Sequence, residues 1–231
     1  MMRAFILAGG QGVRLKPRFG DLPKPLAPLG GAPFLARQLE WLAAYGIHEA
    51  VLLVGYGADQ VRATLGDGGA YGVALDYSIE EEPLGTGGAL MRAAPWVDGP
   101  MLVVNGDTLP ECDPWALERD RWEHGALGAV GLFRVEDARA RGRVELGADG
   151  RIAAFVEKDE AFSGPAWVNG GVYAFDPALW RRLPAGISSL ERDTLPGLAA
   201  GRFLVGHRCE GRFFDIGTPE DWERAEREFA G

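Results

Sequence analysis

Residues 4–15 read Ala-Phe-Ile-Leu-Ala-Gly-Gly-Gln-Gly-Val-Arg-Leu, an apolar run followed at once by a glycine-rich loop. The run over 4–8 predicts a buried strand. Glycines, which lack a Cβ atom, let backbone N–H groups close around phosphate oxygens. The loop lacks the Gly-Lys-Ser/Thr ending of a Walker A loop, and Leu15 replaces the third glycine of the dinucleotide pattern. It predicts a phosphate site, although a structural turn explains the loop alone almost as well.

The first half of the chain alternates apolar runs with helical patterns. Strands are predicted over 50–54, 74–79 and 101–105, and helices over 33–45, 58–65 and 87–94. Such alternation implies a mainly parallel sheet with helices on both faces. Ligands of these sheets lie beyond the carboxyl ends of the strands. The glycine loop and Asp107, which follows Asn105, both occupy such ends.

The second half is richer in strands. They are predicted over 126–133, 143–146, 152–156, 168–175, 203–208 and 213–216. A closing helix begins at Thr218, where Thr-Pro-Glu-Asp combines an N-cap, a first-turn proline and an acidic residue. We therefore expect one α/β domain over 1–231, with a Rossmann-like mixed, mainly parallel sheet flanked by helices and a β-rich sub-lobe.

The composition excludes several classes of partner. A net charge of −9 argues against a general nucleic-acid or anionic-membrane surface. Two cysteines form no disulfide framework, and the N-terminal apolar run is too short for a signal peptide or a membrane span. The three histidines show no metal-ligand spacing and are expected to be structural. A soluble cytoplasmic protein, monomeric or homodimeric, is expected.

Lysine is rare in this chain, with three residues against 21 arginines. Lys24 lies in Asp-Leu-Pro-Lys-Pro at 21–25, and Lys158 lies in Phe-Val-Glu-Lys at 155–158. Because an ammonium is a compact point charge and a guanidinium a broad fork, lysine is best retained in a tight phosphate pocket. No role is assigned to Lys16. The alternative to a role in phosphate binding is that the three lysines were retained by chance.

Together, Ala-Gly-Gly-x-Gly-x-Arg-Leu at 8–15 and Pro-Lys-Pro-Leu-Ala-Pro at 23–28 resemble the signature of sugar-1-phosphate nucleotidylyltransferases. The resemblance continues at 80–88, 105–107, 155–158, 169–173 and 214–218. Val13 departs from it, because the family usually has threonine there. The chain looks most like D-glycero-D-manno-heptose 1-phosphate guanylyltransferases. Mannose-1-phosphate guanylyltransferases and uridylyltransferases acting on N-acetylmuramate or hexose 1-phosphates remain alternatives.

The resemblance implies transfer of a nucleoside monophosphate to a sugar 1-phosphate with release of pyrophosphate. The nucleotide half would be about 1–110 and the sugar half about 111–231. Arg14, Lys24 and Asp107 would be catalytic, and Asp107 and Asp215 would hold Mg²⁺, a hard cation that prefers oxygen ligands. The implied nucleotide contacts are Leu7, Ala8, Gly9, Gly10, Gly12, Arg14, Lys24, Glu80, Gly85 and Thr86. The implied sugar-phosphate contacts are Gly142, Glu157, Lys158 and Asn169.

Glu80 bears on which base is bound. Relatives that use uridine or thymidine triphosphate typically have glutamine here, and an amide both donates and accepts. A carboxylate only accepts, which suits the adjacent N1–H and N2 amine of guanine. GTP is therefore favoured; alternatively, Glu80 merely opens an exposed acidic turn with Glu81 and Glu82.

Two other classes of protein remain open. A metal-dependent glycosyltransferase would be expected to carry Asp-x-Asp after its central strand, where this chain has Asn-Gly-Asp at 105–107. A non-catalytic nucleotide-sensing module would be expected to lose Lys24, Asp107 or Asp215, and all three are present. The interpretation as a nucleotidylyltransferase is therefore preferred to a glycosyltransferase or a nucleotide-sensing module.

Overall fold

The computed structural model of the chain describes residues 2–139 and 141–229. The strands are β1 Arg3–Leu7, β2 Pro28–Leu29, β3 Ala32–Pro33, β4 Glu49–Val54, β5 Ala74–Ile79, β6 Met101–Asn105, β7 Thr108–Pro110, β8 Gly128–Val135, β9 Arg143–Leu146, β10 Ile152–Val156, β11 Ala166–Phe175, β12 Leu204–Arg208 and β13 Phe213–Asp215. The α-helices are α1 Lys16–Phe19, α2 Phe34–Ala44, α3 Ala58–Leu65, α4 Gly85–Arg92, α5 Pro114–Glu123, α6 Leu195–Ala200 and α7 Pro219–Phe229. Within these residues, no helix combines the length and apolarity that crossing a membrane requires.

One mixed sheet runs through both halves of the sequence. Its strand order is β10-β9-β11-β6-β1-β4-β5, and β8 joins β11 to β12. The pairings of β1 with β4 and β6, of β4 with β5, and of β12 with β8 are parallel. Strand β11 pairs antiparallel with β6, β8 and β9. The predicted α/β class is confirmed, and β11 extends the N-terminal parallel strands into the β-rich half.

The central strand β1 places the glycine loop at the carboxyl edge of the parallel strands. Ala4, Phe5 and Ile6 are fully buried between β4 and β6, as the apolar run predicted. In register, Leu7 lies beside Asn105. The residues that follow β1, β5 and β6 therefore meet at one edge, where ligands of such sheets bind.

A two-stranded antiparallel sheet brings a C-terminal residue to the same edge. In this sheet, β7 pairs with β13, and Thr108 lies opposite Asp215. Helix α7 follows, and the Thr218 hydroxyl accepts a hydrogen bond of 3.1 Å from the Asp221 N–H, as the predicted N-cap requires. Trp222 of α7 packs in a buried cluster that also contains Leu109 of β7 and Ile216, which holds the helix against this small sheet.

Several elements differ from the sequence predictions. Helices α5 and α6 were not predicted, and β8 begins two residues later than expected. Asp113 caps α5 by accepting from the Trp115 N–H at 2.8 Å, but charged residues obscure the helical periodicity of this segment. Helix α4 begins at Gly85 rather than at 87.

Candidate active site

A cavity of about 330 Å³ opens at the carboxyl edge of the parallel strands. It is lined by Leu7, Gly9, Gly10, Gln11, Leu53, Glu80, Pro83, Gly85, Thr86, Ala89, Asn105 and Asp107. Most of the predicted nucleotide contacts thus share one cavity. Ala8, by contrast, is buried at 3 % exposure and is not among the lining residues.

The Glu80 carboxylate lies against the backbone of two glycines. A Cβ atom on Gly55 would stand 2.8 Å from Glu80 Oε1, and Gly9 approaches the same oxygen atom. Glu80 Oε2 accepts a hydrogen bond of 3.1 Å from the Leu84 N–H. Burial raises the pKa of Glu80, opposed by that hydrogen bond and by the charge of Arg92. Glu80 therefore faces the cavity and is partly shielded from solvent, unlike an exposed turn residue.

The two N-terminal motifs pack directly on each other at Lys24. A Cβ atom on Gly12, whose φ is +59°, would stand 2.7 Å from Lys24 Cβ. The Lys24 ammonium lies 2.5 Å from Asp107 Oδ2. The glycine loop, the Pro-Lys-Pro segment and the Asn-Gly-Asp turn therefore meet at one ion pair.

The carboxylates of Asp107 and Asp215 share a second, polar cavity of about 280 Å³. The Ile216 N–H donates to the Asp107 carbonyl at 3.0 Å, which ties the two segments together. Burial raises the pKa of Asp215, the negative charge of Asp107 raises it further, and a hydrogen bond from the Gly217 N–H opposes both. Two converging carboxylates suit a hard divalent cation, whose charge would relieve their repulsion. These residues therefore fit the predicted metal.

Two arginines accompany these carboxylates. Arg14 lines the polar cavity with an exposed side chain. Arg141 Nη1 donates to Asp215 Oδ2 at 3.3 Å, and its guanidinium lies 5.0 Å from the centre of the Phe213 ring. Arg141 was not predicted as a site residue, because Arg-Gly-Arg at 141–143 matches no known motif for phosphate or metal binding. With Lys24, these arginines can neutralise phosphate charge at the cavity.

A third cavity, of about 380 Å³, adjoins the polar one. Arg141, Asn169 and Glu191 line both. The third cavity also brings together the predicted sugar residues Gly142 and Glu157. Lys158 is exposed and is not among its lining residues, so its predicted role gains no geometric support.

The Asn169 side chain is held by two hydrogen bonds within β11. Its Nδ2 atom donates to the Tyr173 hydroxyl at 2.9 Å, and its Oδ1 atom accepts from the Gly171 N–H at 3.0 Å. Both bonds lie where the pairing of β11 with β8 is interrupted. The amide is therefore fixed in orientation between the two cavities that it lines.

The start of α4 is held by the segment before α6. The Thr86 hydroxyl donates to Glu191 Oε2 at 2.8 Å and accepts from the Leu190 N–H at 2.7 Å. Gly85 has a φ of +73° and packs against the Ser188 backbone, where a Cβ atom would collide. Glu191, which the sequence analysis missed, thus connects the first cavity to the other two.

Gln38 positions the turn that carries Asp107. It is fully buried on α2, and its Nε2 atom donates to the carbonyl oxygens of Asn105 at 2.8 Å and Thr108 at 2.6 Å. Gln38 was not predicted as a site residue either. A polar side chain near Leu35, Leu39 and Leu42 on a predicted helix was the available signal.

Comparison with known proteins establishes the family. Residues 3–230 match the family model described as nucleotidyl transferase. The chain belongs to the nucleotidyl transferase family. It is 37 % identical over 226 residues to a mannose-1-phosphate guanylyltransferase of Mycobacterium tuberculosis, covering 96 % of this chain and 62 % of that protein.

Other family members extend this comparison. A mannose-1-phosphate guanyltransferase of Aspergillus fumigatus is 34 % identical over 227 residues, with coverage of 96 % of this chain and 62 % of that protein. The chain thus spans less than two thirds of the length of these relatives. HddC of Yersinia pseudotuberculosis, crystallised with GMP-PN, superposes with a TM-score of 0.85 at 31 % identity, covering 99 % of this chain and 100 % of HddC.

Proposed function

We propose that this chain transfers GMP from GTP to a sugar 1-phosphate and releases pyrophosphate. The observation that carries the proposal is the position of Asp107, which lines both the cavity containing Glu80 and the polar cavity. Lys24 donates to its carboxylate, and Asp215 lines the polar cavity beside it. In this arrangement the nucleotide occupies the first cavity and the sugar phosphate approaches from the side of Asn169. The sugar-phosphate oxygen then attacks the α-phosphorus atom in line, and the pyrophosphate leaves.

The residues of the chain act by positioning and charge neutralisation, which dominate phosphoryl-type transfers. Lys24 and Arg14 bind the triphosphate and offset charge that develops at the α-phosphorus atom, while the glycine-loop N–H groups cradle phosphate oxygens. Asp107 and Asp215 would hold Mg²⁺. That ion, when bound, supplies further charge neutralisation at the phosphates.

The choice of guanine rests on Glu80. Its carboxylate, partly shielded against Gly9 and Gly55, can accept from two adjacent guanine donors. A pyrimidine would oppose it with an acceptor, at a cost of about 1–3 kcal/mol for the unsatisfied group. The guanylyltransferase names of the relatives and the GMP-PN complex of HddC support the same base.

Two sugar 1-phosphates are candidates for the acceptor. A manno-heptose 1-phosphate is the first candidate, because the motifs at 21–25 and 80–88 resemble those of the heptose-specific enzymes. Mannose 1-phosphate is the second, supported by the names of the sequence relatives. In either case Glu157 accepts from sugar hydroxyls, and Arg141 joins Lys158 as a candidate for the sugar phosphate.

A pyrophosphate-release screen tests the proposal. The four nucleoside triphosphates are each incubated with heptose, mannose, glucose and amino-sugar 1-phosphates in the presence of Mg²⁺. Release with GTP and one manno-configured sugar phosphate is expected, and Asp107→Asn should abolish it. If no combination releases pyrophosphate, the transferase proposal is wrong and a nucleotide-sensing or glycosyltransferase role must replace it.

A further inference from the structure

Two cysteines and a histidine from separate segments meet beside α5. Cys112 lies between β7 and α5, whereas His207 and Cys209 lie at the end of β12. Their ligand atoms all fall within 4.8 Å of one another, and the two Sγ atoms are 3.0 Å apart. This cluster was not predicted from the sequence, because 97 positions separate the two cysteines.

A carboxylate orients the histidine ring. Asp120 Oδ2, on α5, lies 2.7 Å from His207 Nδ1. Because a carboxylate accepts, Nδ1 is the donor in this contact, and Nε2 is the ring nitrogen left to face a metal ion. A carboxylate behind a histidine is the arrangement that fixes the tautomer of metal-binding histidines and raises their basicity.

We propose that Cys112, His207 and Cys209 bind a Zn²⁺ ion through their two Sγ atoms and the Nε2 atom. A site with two sulfur donors and one imidazole nitrogen favours zinc over harder cations, which prefer oxygen ligands. A tetrahedral ion with Zn–S bonds of about 2.3 Å separates its sulfur ligands by about 3.8 Å. The two Sγ atoms must therefore move apart by about 0.8 Å, which side-chain rotation can provide. Both thiols lose their protons to solvent when the metal binds.

The difference in burial among the three residues indicates from which side a metal ion reaches the cluster. Cys112 and Cys209 are 4 % and 5 % exposed, whereas the His207 side chain is 17 % exposed. The ion thus enters on the histidine side, where a water molecule completes the tetrahedron. None of the three residues lines the three cavities described above. The ion would connect the loop before α5 to β12 and stabilise the fold away from the proposed catalytic centre.

Cobalt substitution tests the site directly. The protein is reduced with a phosphine, stripped with a chelator and titrated with Co²⁺. One ion per chain with a thiolate-to-cobalt charge-transfer band and tetrahedral d–d bands is expected. Asp107→Asn should retain these bands, because carboxylates produce no thiolate band. Cys112→Ser and Cys209→Ser should each weaken or abolish the band, with circular dichroism verifying that the variants fold.

Further variants separate metal binding from a mere packing role. Asp120→Asn should weaken Zn²⁺ affinity by about 10–100-fold while the protein remains folded. His207→Gln should weaken it further. His48→Ala should leave it unchanged, because His48 is exposed and its Nδ1 atom lies 2.9 Å from the Gly72 carbonyl oxygen, away from the cluster. The proposal would be overturned if the reduced protein showed no thiolate-to-cobalt band. Re-formation of a Cys112–Cys209 disulfide without any bound metal would be the same negative result. A band that keeps its full intensity in both cysteine variants would do the same.

Discussion

The ammonium of Lys24 lies 2.5 Å from Asp107 Oδ2, although 83 positions separate the two residues. The Lys24 side chain is 12 % exposed, and Gly12 packs against its stem. An arginine fork is broader than an ammonium and has no room to adopt the same position. This contact accounts physically for a lysine in a chain that otherwise favours arginine.

Replacing Lys24 by arginine should therefore impair catalysis. We expect Lys24→Arg to lower kcat/KM by about 10²-fold, comparable to the loss of one preorganised transition-state contact. Steady-state pyrophosphate release measures the effect. Lys16→Arg is the matched control, because Lys16 pairs with Asp21 at 3.2 Å on the surface and should tolerate the change. Full activity of the Lys24 variant would remove lysine-specific geometry from the proposed mechanism.

Replacing Glu80 by glutamine should relax the choice of base. Glutamine presents one acceptor and one donor, so guanine loses a partner and pyrimidines gain one. The ratio of kcat/KM for GTP to that for UTP should fall by about 10–100-fold, the equivalent of 1–3 kcal/mol. Competition assays with both nucleotides provide the measurement, and an unchanged ratio would disconnect Glu80 from base recognition.

The same substitution should affect stability in a pH-dependent way. Burial raises the pKa of the Glu80 carboxyl in the folded state above its unfolded value. The folded state then binds the proton more tightly, so this contribution to stability is present below the unfolded pKa and is lost as pH rises through the folded pKa. Glu80→Gln should therefore raise Tm more at pH 7 than at pH 4. Glu81→Gln, at an exposed position, should show no such difference in a thermal melt series.

Much of the architecture was readable from the sequence, because apolar runs of strand length mark buried strands. The predicted bounds of α3, β5, β6, β9 and β10 match the structure. The family resemblance implied that the glycine loop and Glu80 bind the nucleotide and that Asp107 is catalytic, and residues of all three line one cavity. Arg141, Glu191 and the Cys112–His207–Cys209 cluster were missed. Their significance depends on contacts between distant segments, which periodicity and spacing cannot supply.

Val13 departs from the threonine that is usual in the sequence pattern. Its side chain is 62 % exposed at the tip of the glycine loop, so it contributes little to packing. Val13→Thr adds a hydroxyl that can donate to a phosphate oxygen, and a net hydrogen bond of about 1 kcal/mol should lower the KM for GTP about fivefold. Leu22→Thr, at another exposed apolar position, serves as the control. A KM that does not fall would mean that the loop backbone and Arg14 already satisfy the phosphate.

Gln38 should prove to be a positioning residue rather than a simple core residue. Gln38→Leu keeps the volume similar but leaves the Asn105 and Thr108 carbonyl oxygens without their donor, which should cost about 2–4 kcal/mol in the free energy of unfolding. Because the Asn-Gly-Asp turn then loses its support, kcat should fall more than the KM for GTP rises. Urea unfolding and steady-state kinetics measure the two effects, with Gln60→Leu on the exposed face of α3 as the control. A variant that is destabilised but keeps the kcat of the parent protein would show that Asp107 is held by its contacts with Lys24 and Ile216 alone.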